Sequence, residues 1–443
     1  MISAAPVPPL PSHQLLILLL QVGVLLLSAT VLGKLAAHVR LPAVVGELCA
    51  GVLLGPTVLG HLSGSLFLAL FPADPAQFHL LDGVGQFGLI LLIGITGVEI
   101  DLDLVRRRSS QALTIGTTGL VIPLALGTCA GYLVPATLIP TSTSRAVFAL
   151  FLGTALCVSA IPVIAKTLTD MNLLHRNIGQ LILSAAMVDD IGGWFLLSII
   201  SALAVGGSGA DGTLWWSIPR TLVVLIAAVL LARPVILLLM RWAARSGPLQ
   251  TIALGTVVMF LSAAATQALN LEAMIGAFLA GTIIGTAGPD IRTTLMPLRQ
   301  TVLAVLAPFF FATAGLRIDL GALRHPSVLG LAILVLSVAV AAKFAGAFIG
   351  ARAHRLSRWE GLALGAGLNS RGVIQIVIAT AGLRLGVLTG STYTVIILIA
   401  IVTSAMAPPV LAFAMRRIHQ TSEEHMRLHG RAPAREVELL PPV

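Results

Sequence analysis

The chain has 443 residues, of which 57% are hydrophobic and only 10% charged, with a mean hydropathy of +0.99 and a formal net charge of +9. So little charge cannot cover a water-exposed surface, which excludes a soluble enzyme or binding module and leaves an all-α polytopic membrane protein. The 27 Lys and Arg residues are spread over short loops rather than gathered on one face, so the excess of positive charge is not a nucleic-acid footprint.

A membrane-spanning helix needs about 20 apolar residues, and thirteen segments qualify: 14–37, 43–61, 83–100, 112–134, 146–167, 178–205, 221–241, 250–270, 272–288, 301–316, 328–351, 361–383 and 391–416. The first has no basic residue before it and no small-residue cleavage site, so it reads as a retained helix rather than a leader. The second carries LPAVVGELCAGVLLGP (41–56), with Glu47 near its end, and the third closes on GVEIDL (97–102). The fifth contains CVSAIPVIAK (157–166), where Pro162 lacks an N–H and clashes with the preceding turn, so a break is expected around Val158 to Ile161, taking in Ser159 and Ala160. The sixth holds Asp189 and Asp190 side by side in an otherwise uncharged run, and Lys343 is the sole charge of the eleventh. In the twelfth, GAGLNSRGVIQ (365–375) sets Asn369, Ser370 and Arg371 among three glycines, which weakens the helix at mid-span. Cys49, Cys129 and Cys157 fall singly in spans and read as packing residues, not as a disulfide or metal set. His38, His61, His79 and His175 lie in loops or at helix ends and receive no pH-sensing role.

Basic residues mark the cytoplasmic side. With an outside N-terminus, 20 of the 27 fall inside, among them Lys34, Arg40, Arg106 to Arg108, Lys166, Arg176 and Arg352, and five fall outside: Arg145, Arg220, Arg317, Arg324 and Arg384. The remaining two are Lys343 and Arg371, within spans. The C-terminus is then cytoplasmic, with residues 417–443 as a short tail.

The chain repeats itself. Residues 41–56 match LEAMIGAFLAGTIIGT (271–286) at six of sixteen positions, including Gly46/Gly276, Gly51/Gly281 and Gly55/Gly285, and GVEIDL answers GLRIDL (315–320). Paired spans lie seven apart, an odd offset, so the copies face opposite ways. Two inverted six-helix repeats joined by a linking helix form a transporter architecture in which broken helices meet at the midplane, here at the matched interruptions of spans five and twelve. Adjacent carboxylates there cannot both ionise cheaply; one holds either a proton or a dehydrated alkali cation, and that competition is sufficient for exchange. Asp189, Asp190, Ser159 and carbonyls of the span-five break are the candidate cation ligands. Lys343 is the candidate counter-charge when no cation is bound; which aspartate it pairs with is left open.

At these residues the chain resembles the monovalent cation:proton antiporters, the group of NapA- and GerN-type sodium/proton exchangers and Kef-type potassium efflux proteins. The resemblance rests on residues 158–194, from VSAIPVIAK to AMVDDIGGW, with LPAVVGELCAGVLLGP, PFFFATAGLRIDL (308–320) and GLNSRGVIQIVIA (367–379). It implies an NhaA/NapA-like fold with two crossing discontinuous helices. It also implies a scaffold (about 14–100 and 250–316) that dimerises and a moving core (about 112–205 and 328–416). Asp190 then matches the essential carboxylate, while Asp189 together with Lys343 resembles the electrogenic subgroup, in which more protons than cations move per cycle. Gln375 stands where many relatives carry Glu, so no role transfers there. The implied setting is a bacterial inner membrane, the cargo Na⁺ with K⁺ or Li⁺ as alternatives, and no cofactor is called for. The absence of a nucleotide-binding regulatory segment weakens the potassium-efflux reading. An intramembrane aspartyl protease needs its aspartates on different helices and a channel needs repeated polar rings, and neither pattern is present. An organic-anion carrier would use Arg371, but two central aspartates argue for a cationic cargo and leave a proton-coupled transporter of an organic substrate as the lesser alternative.

Overall fold

Apolar runs punctuated by Pro, Gly and short polar loops fold into helices, with no strand among the described residues. The computed structural model describes residues 10–39, 41–99, 109–205, 213–269, 271–421 and Glu424. Arg40, Asp101, the run Arg106 to Arg108 and the tail beyond Glu424 lie outside the described residues.

In chain order the main helices are α1 (Ser12–His38), α2 (Ala43–Leu54), α3 (Pro75–Glu99), α4 (Ser109–Tyr132), α5 (Arg145–Cys157), α6 (Ile161–Asp170), α7 (Asn177–Val205) and α8 (Thr213–Ser246). They continue with α9 (Pro248–Ala268), α10 (Ala273–Gly285), α11 (Met296–Leu316), α12 (Pro326–Ala353), α13 (Arg358–Leu368), α14 (Val373–Arg384) and α15 (Gly390–Met415). Among the described residues ten spans are long and apolar enough to cross a membrane, α5 and α6 counting as one, and the pair α13–α14, bent by 47°, makes an eleventh. The two remaining expected spans are occupied by α8 and by α10, which has 13 residues and is therefore only about 20 Å long. The expected start of the third span at 83 moves back to Pro75, because the Asp74 carboxylate accepts the N–H of Ala76 at 3.0 Å and caps an earlier turn. Leu16, Leu19, Leu27 and Leu35 of α1 are exposed, as a lipid-facing helix requires.

The internal repeat is visible as paired backbone contacts. A methyl group on Gly46 would overlap the Leu32 carbonyl of α1, and one on Gly276 would overlap the Ser262 carbonyl of α9. A methyl on Gly51 would overlap the Ala312 carbonyl of α11, and one on Gly281 the Gly94 carbonyl of α3. Gly94 and Ala312 are themselves equivalent in the repeat, 218 residues apart. Each copy's second span thus grips the third span of the other copy at a point where only glycine fits.

The bundle is open on one side. A cavity of about 880 Å³ lies between Ala37, Leu41 and Pro42 on one wall and Lys166, Asp170, Pro408 and Pro409 on the other. The recess on the opposite side, at Asp82, Arg317 and Thr380, measures about 10 Å³, and an ion pair of 2.7 Å joins Arg317 to Asp82 there. Beside the open side the chain returns to the core: Glu424 accepts the Asn177 N–H at 2.6 Å and the Thr421 N–H at 2.9 Å, and pairs with Arg176 at 3.2 Å. It thereby caps α7. Burial raises the Glu424 carboxyl, but the Thr421 and Asn177 N–H groups and then Arg176 outweigh it and hold the group below its ordinary value.

Gly51→Ala and Gly281→Ala are each expected to destabilise the protein by at least the roughly 1–3 kcal/mol typical of overpacking. Gly83→Ala, whose methyl meets nothing within 4 Å, should be neutral or slightly stabilising; thermal unfolding in detergent compares the three. Because a depressed carboxyl stabilises above its unfolded value and loses that contribution only as pH falls through the folded one, the tail contact should persist from about pH 8 to about pH 5. A spin label at Gln420→Cys should report constant mobility over that range, and raised mobility throughout when Glu424→Gln is added.

Candidate functional site

α5 stops at Cys157 because Pro162 in the next turn supplies no N–H and its ring excludes a continuous helix. Val158 and Ala160 are extended (ψ 137° and 104°), and α6 restarts at Ile161 with Pro162 in its first turn, a position where the missing N–H costs nothing. The second break, Asn369 to Gly372, separates α13 from α14. The two breaks cross in contact: the Ala160 N–H donates to the Ser370 carbonyl at 3.2 Å, and Ser159 Oγ lies 2.6 Å from the Leu368 carbonyl. Gly372 lets them close up, since a methyl there would lie 2.5 Å from Val163 Cγ2.

Asp189 and Asp190, both fully buried, reach this crossing from α7. Asp189 Oδ2 lies 2.6 Å from Ser159 Oγ and forms an ion pair with Lys343 of α12, also fully buried. The Lys343 ammonium donates in addition to the Cys157 carbonyl at 2.6 Å and the Gly119 carbonyl at 2.9 Å. Both carbonyls are free for the same reason. The helical partner of Gly119 would be the N–H four residues on, at Pro123, which has none; that of Cys157 falls across the break. α12 comes close enough because Gly346, one turn beyond Lys343, has no side chain, and a methyl there would lie 3.1 Å from Gly119 Cα. The open choice of partner for Lys343 is thus settled geometrically in favour of Asp189.

Asp190 turns the other way. It faces the backbone N–H of Ile161 in the first turn of α6, the positive end of that helix, and neither of its oxygens reaches ordinary hydrogen-bond geometry with the protein. Asn369 and the Ser370 hydroxyl are likewise buried without protein partners. Arg371 does not meet the aspartates. Its guanidinium donates to the carbonyls of Ala155 and Ala339, both at 3.3 Å; the first is the free end of α5, so Arg371 offsets that helix's negative pole. Its own carbonyl accepts from Ser404 Oγ of α15. Gln375 donates to the Ile396 carbonyl at 3.1 Å, away from the aspartates.

The structure therefore brings together Asp189, Asp190, Ser159, Lys343, Val158, Ala160 and Pro162 with the Asn369–Ser370 break, and assigns Arg371 to the frame. Sequence reasoning missed the Gly119 carbonyl, though Pro123 four residues later was its signal, and it missed Ser404. Chemically, the Lys343 ammonium sits among one carboxylate oxygen and two carbonyls, the oxygen-rich shell a desolvated alkali cation requires.

The sodium/hydrogen exchanger, transmembrane, family matches residues 23–417. The chain is 31% identical over 406 residues to the Na(+)/H(+) antiporter NhaS4 of Synechocystis sp., covering 90% of this chain and 97% of that protein. It is 27% identical to the Na(+)/H(+)-K(+) antiporter GerN of Bacillus cereus, covering 89% and 95%. Cation/H(+) antiporter 18 of Arabidopsis thaliana is 28% identical over 94% of this chain, which spans about half (51%) of that longer protein. The fold is shared with the sodium proton antiporter MjNhaP1 of Methanocaldococcus jannaschii, with a TM-score of 0.66 at 17% identity over 94% of this chain and 99% of that one. With the family model matching residues 23–417, from the first helix to the last, the chain belongs to the sodium/hydrogen exchanger family of integral membrane transporters.

Proposed function

We propose that the protein exchanges a monovalent cation for protons by letting the two occupy one site in turn, with Na⁺ as the preferred cation. The observation that carries this reading is the fully buried Asp189–Lys343 pair beside an unpartnered Asp190 at the crossing of two broken helices. Lys343 occupies the oxygen shell that an incoming cation needs. A cation entering from the 880 Å³ vestibule displaces the ammonium from Asp189, takes Asp190 as its second carboxylate, and fills its shell from Ser159 and the Cys157 carbonyl. Protonation of Asp190 and return of Lys343 to Asp189 expel it. Cation entry takes one proton from Asp190 and one from the displaced Lys343 ammonium, and both groups are reprotonated when the cation leaves, so two protons cross against one cation and the cycle is electrogenic.

In this reading the vestibule is cytoplasmic, the N-terminus lies outside, and the membrane is a bacterial inner membrane. The scaffold, 14–100 and 250–316, is held in a homodimer while the core, 112–205 and 328–416, moves. Potassium is the second candidate for the cargo, in view of the name of the Bacillus cereus relative.

The test is dye-monitored proton movement in proteoliposomes under an imposed pH gradient, with sodium, potassium, lithium or no alkali cation. Sodium-dependent movement is expected, responsive to membrane voltage; movement indifferent to every alkali cation would sink the proposal. Asp190→Ala should reduce exchange to the leak of empty liposomes while the protein still folds. Asp189→Asn should retain part of the exchange and lose voltage response. Lys343→Ala should lower stability by about 3–5 kcal/mol, because it strands a buried carboxylate, and Asp189→Asn combined with Lys343→Gln should recover most of that loss in thermal unfolding.

A further inference from the structure

On the outer surface of α12 and α13 lies an apolar furrow that the exchange cycle proposed above does not use. Gly361 and Gly365 leave α13 bare where it meets α12, and two aromatic rings lie in the gaps. A methyl on Gly361 would come within 2.8 Å of Phe348, and one on Gly365 within 2.7 Å of Phe344. The result is an open furrow of about 370 Å³, apolar along Phe344, Phe348, Trp359 and Leu362 and ended by Arg358. Phe348 remains 41% exposed and Phe413, beside the furrow's mouth, 50%. At that mouth the guanidinium of Arg417 lies 4.4 Å from the Trp359 ring centre and 5.0 Å from that of Phe413, and Arg358 lies 5.6 Å over Trp359.

Neither arginine has a carboxylate partner among the described residues. Glu360 is turned away, accepting the Ser357 N–H at 2.8 Å in a capping box. Arg355 and Arg416 are exposed nearby in the chain and add to the positive field. An apolar trough that runs along two spans and ends in stacked, uncompensated guanidinium groups with an interfacial tryptophan is complementary to one kind of molecule. We propose that the furrow binds an anionic phospholipid, its acyl chain along Phe344 and Phe348 and its phosphate between Arg358 and Arg417. Such a lipid would abut Phe344, the residue after Lys343, and so touch the helix that carries the buried ion pair.

The test is native mass spectrometry of the full-length protein, delipidated and titrated with phosphatidylglycerol or with phosphatidylcholine. Preferential adducts with phosphatidylglycerol are expected. The double variant Arg358→Gln/Arg417→Gln should weaken that binding roughly thirtyfold, if each arginine contributes the increment usual for a basic residue at an anionic surface. Arg245→Gln, at an exposed position of α8, should change nothing. Ala345→Trp, which fills the furrow from its wall, should reduce adducts with both arginines intact, and size-exclusion profiles check that each variant is folded. Equal retention by the double variant, or equal affinity for the two lipids, overturns the proposal. Displacement of bound lipid by millimolar inorganic phosphate makes this a free-anion site and overturns it too. Adducts on monomers but none on dimers would give the furrow to a second copy of the chain.

Discussion

A lysine and an aspartate with no exposure at all persist in the middle of a helical bundle only where the backbone itself completes their shells. Placing either charge there alone would cost several kcal/mol, and their mutual attraction does not by itself compensate for lost hydration. The remaining oxygen atoms come from carbonyls that helices normally keep for themselves. One is released by a proline in α4, another by the break after Cys157. The interruptions are therefore not defects tolerated beside the ion pair. They are the source of the polar groups that make it possible.

The same logic accounts for the asymmetry between the two aspartates. Successive residues on a helix point about 100° apart, so Asp189 takes the shell of α12, α5 and Ser159, and Asp190 is left with the positive end of α6. In the proposed cycle Asp190, supported by a helix dipole but without a fixed hydrogen bond, takes proton or cation directly, whereas Asp189 must first release Lys343. Arg371 stabilises the free end of α5 without donating to either aspartate, so the compensation of Asp190 is left to the first turn of α6.

Much of this was legible in the sequence because each signal had a direct physical cause. Pro162 and the Gly-Leu-Asn-Ser-Arg-Gly run marked the two breaks through lost or weakened helix hydrogen bonds. The paired aspartates and Lys343 marked the depth of the site through their desolvation cost, and the repeated glycines marked the inverted copies. What stayed hidden depended on side-chain direction or on backbone atoms, which residue types do not encode. The span-twelve break includes Arg371, yet its guanidinium serves the frame; the Gly119 carbonyl is freed by Pro123 in α4, a helix outside both expected breaks. The length of α10 escaped as well, because hydropathy counts apolar residues and cannot see that a helix gripped on three glycines has no need to run the full bilayer.

Those grips have a mechanical meaning. Backbones touch at two pseudo-equivalent points, Gly51 on Ala312 and Gly281 on Gly94, and so brace the two copies against each other. In the proposed cycle this half is the fixed frame. The surface between α7 and α10 is of another kind: Trp194 meets Phe278 at 5.4 Å in a tilted contact, beside an apolar crevice of about 100 Å³. Rings without directional bonds slide where interlocked carbonyls cannot. In the proposed cycle that greased seam is the bearing, and the helix carrying the aspartates is the part it allows to travel.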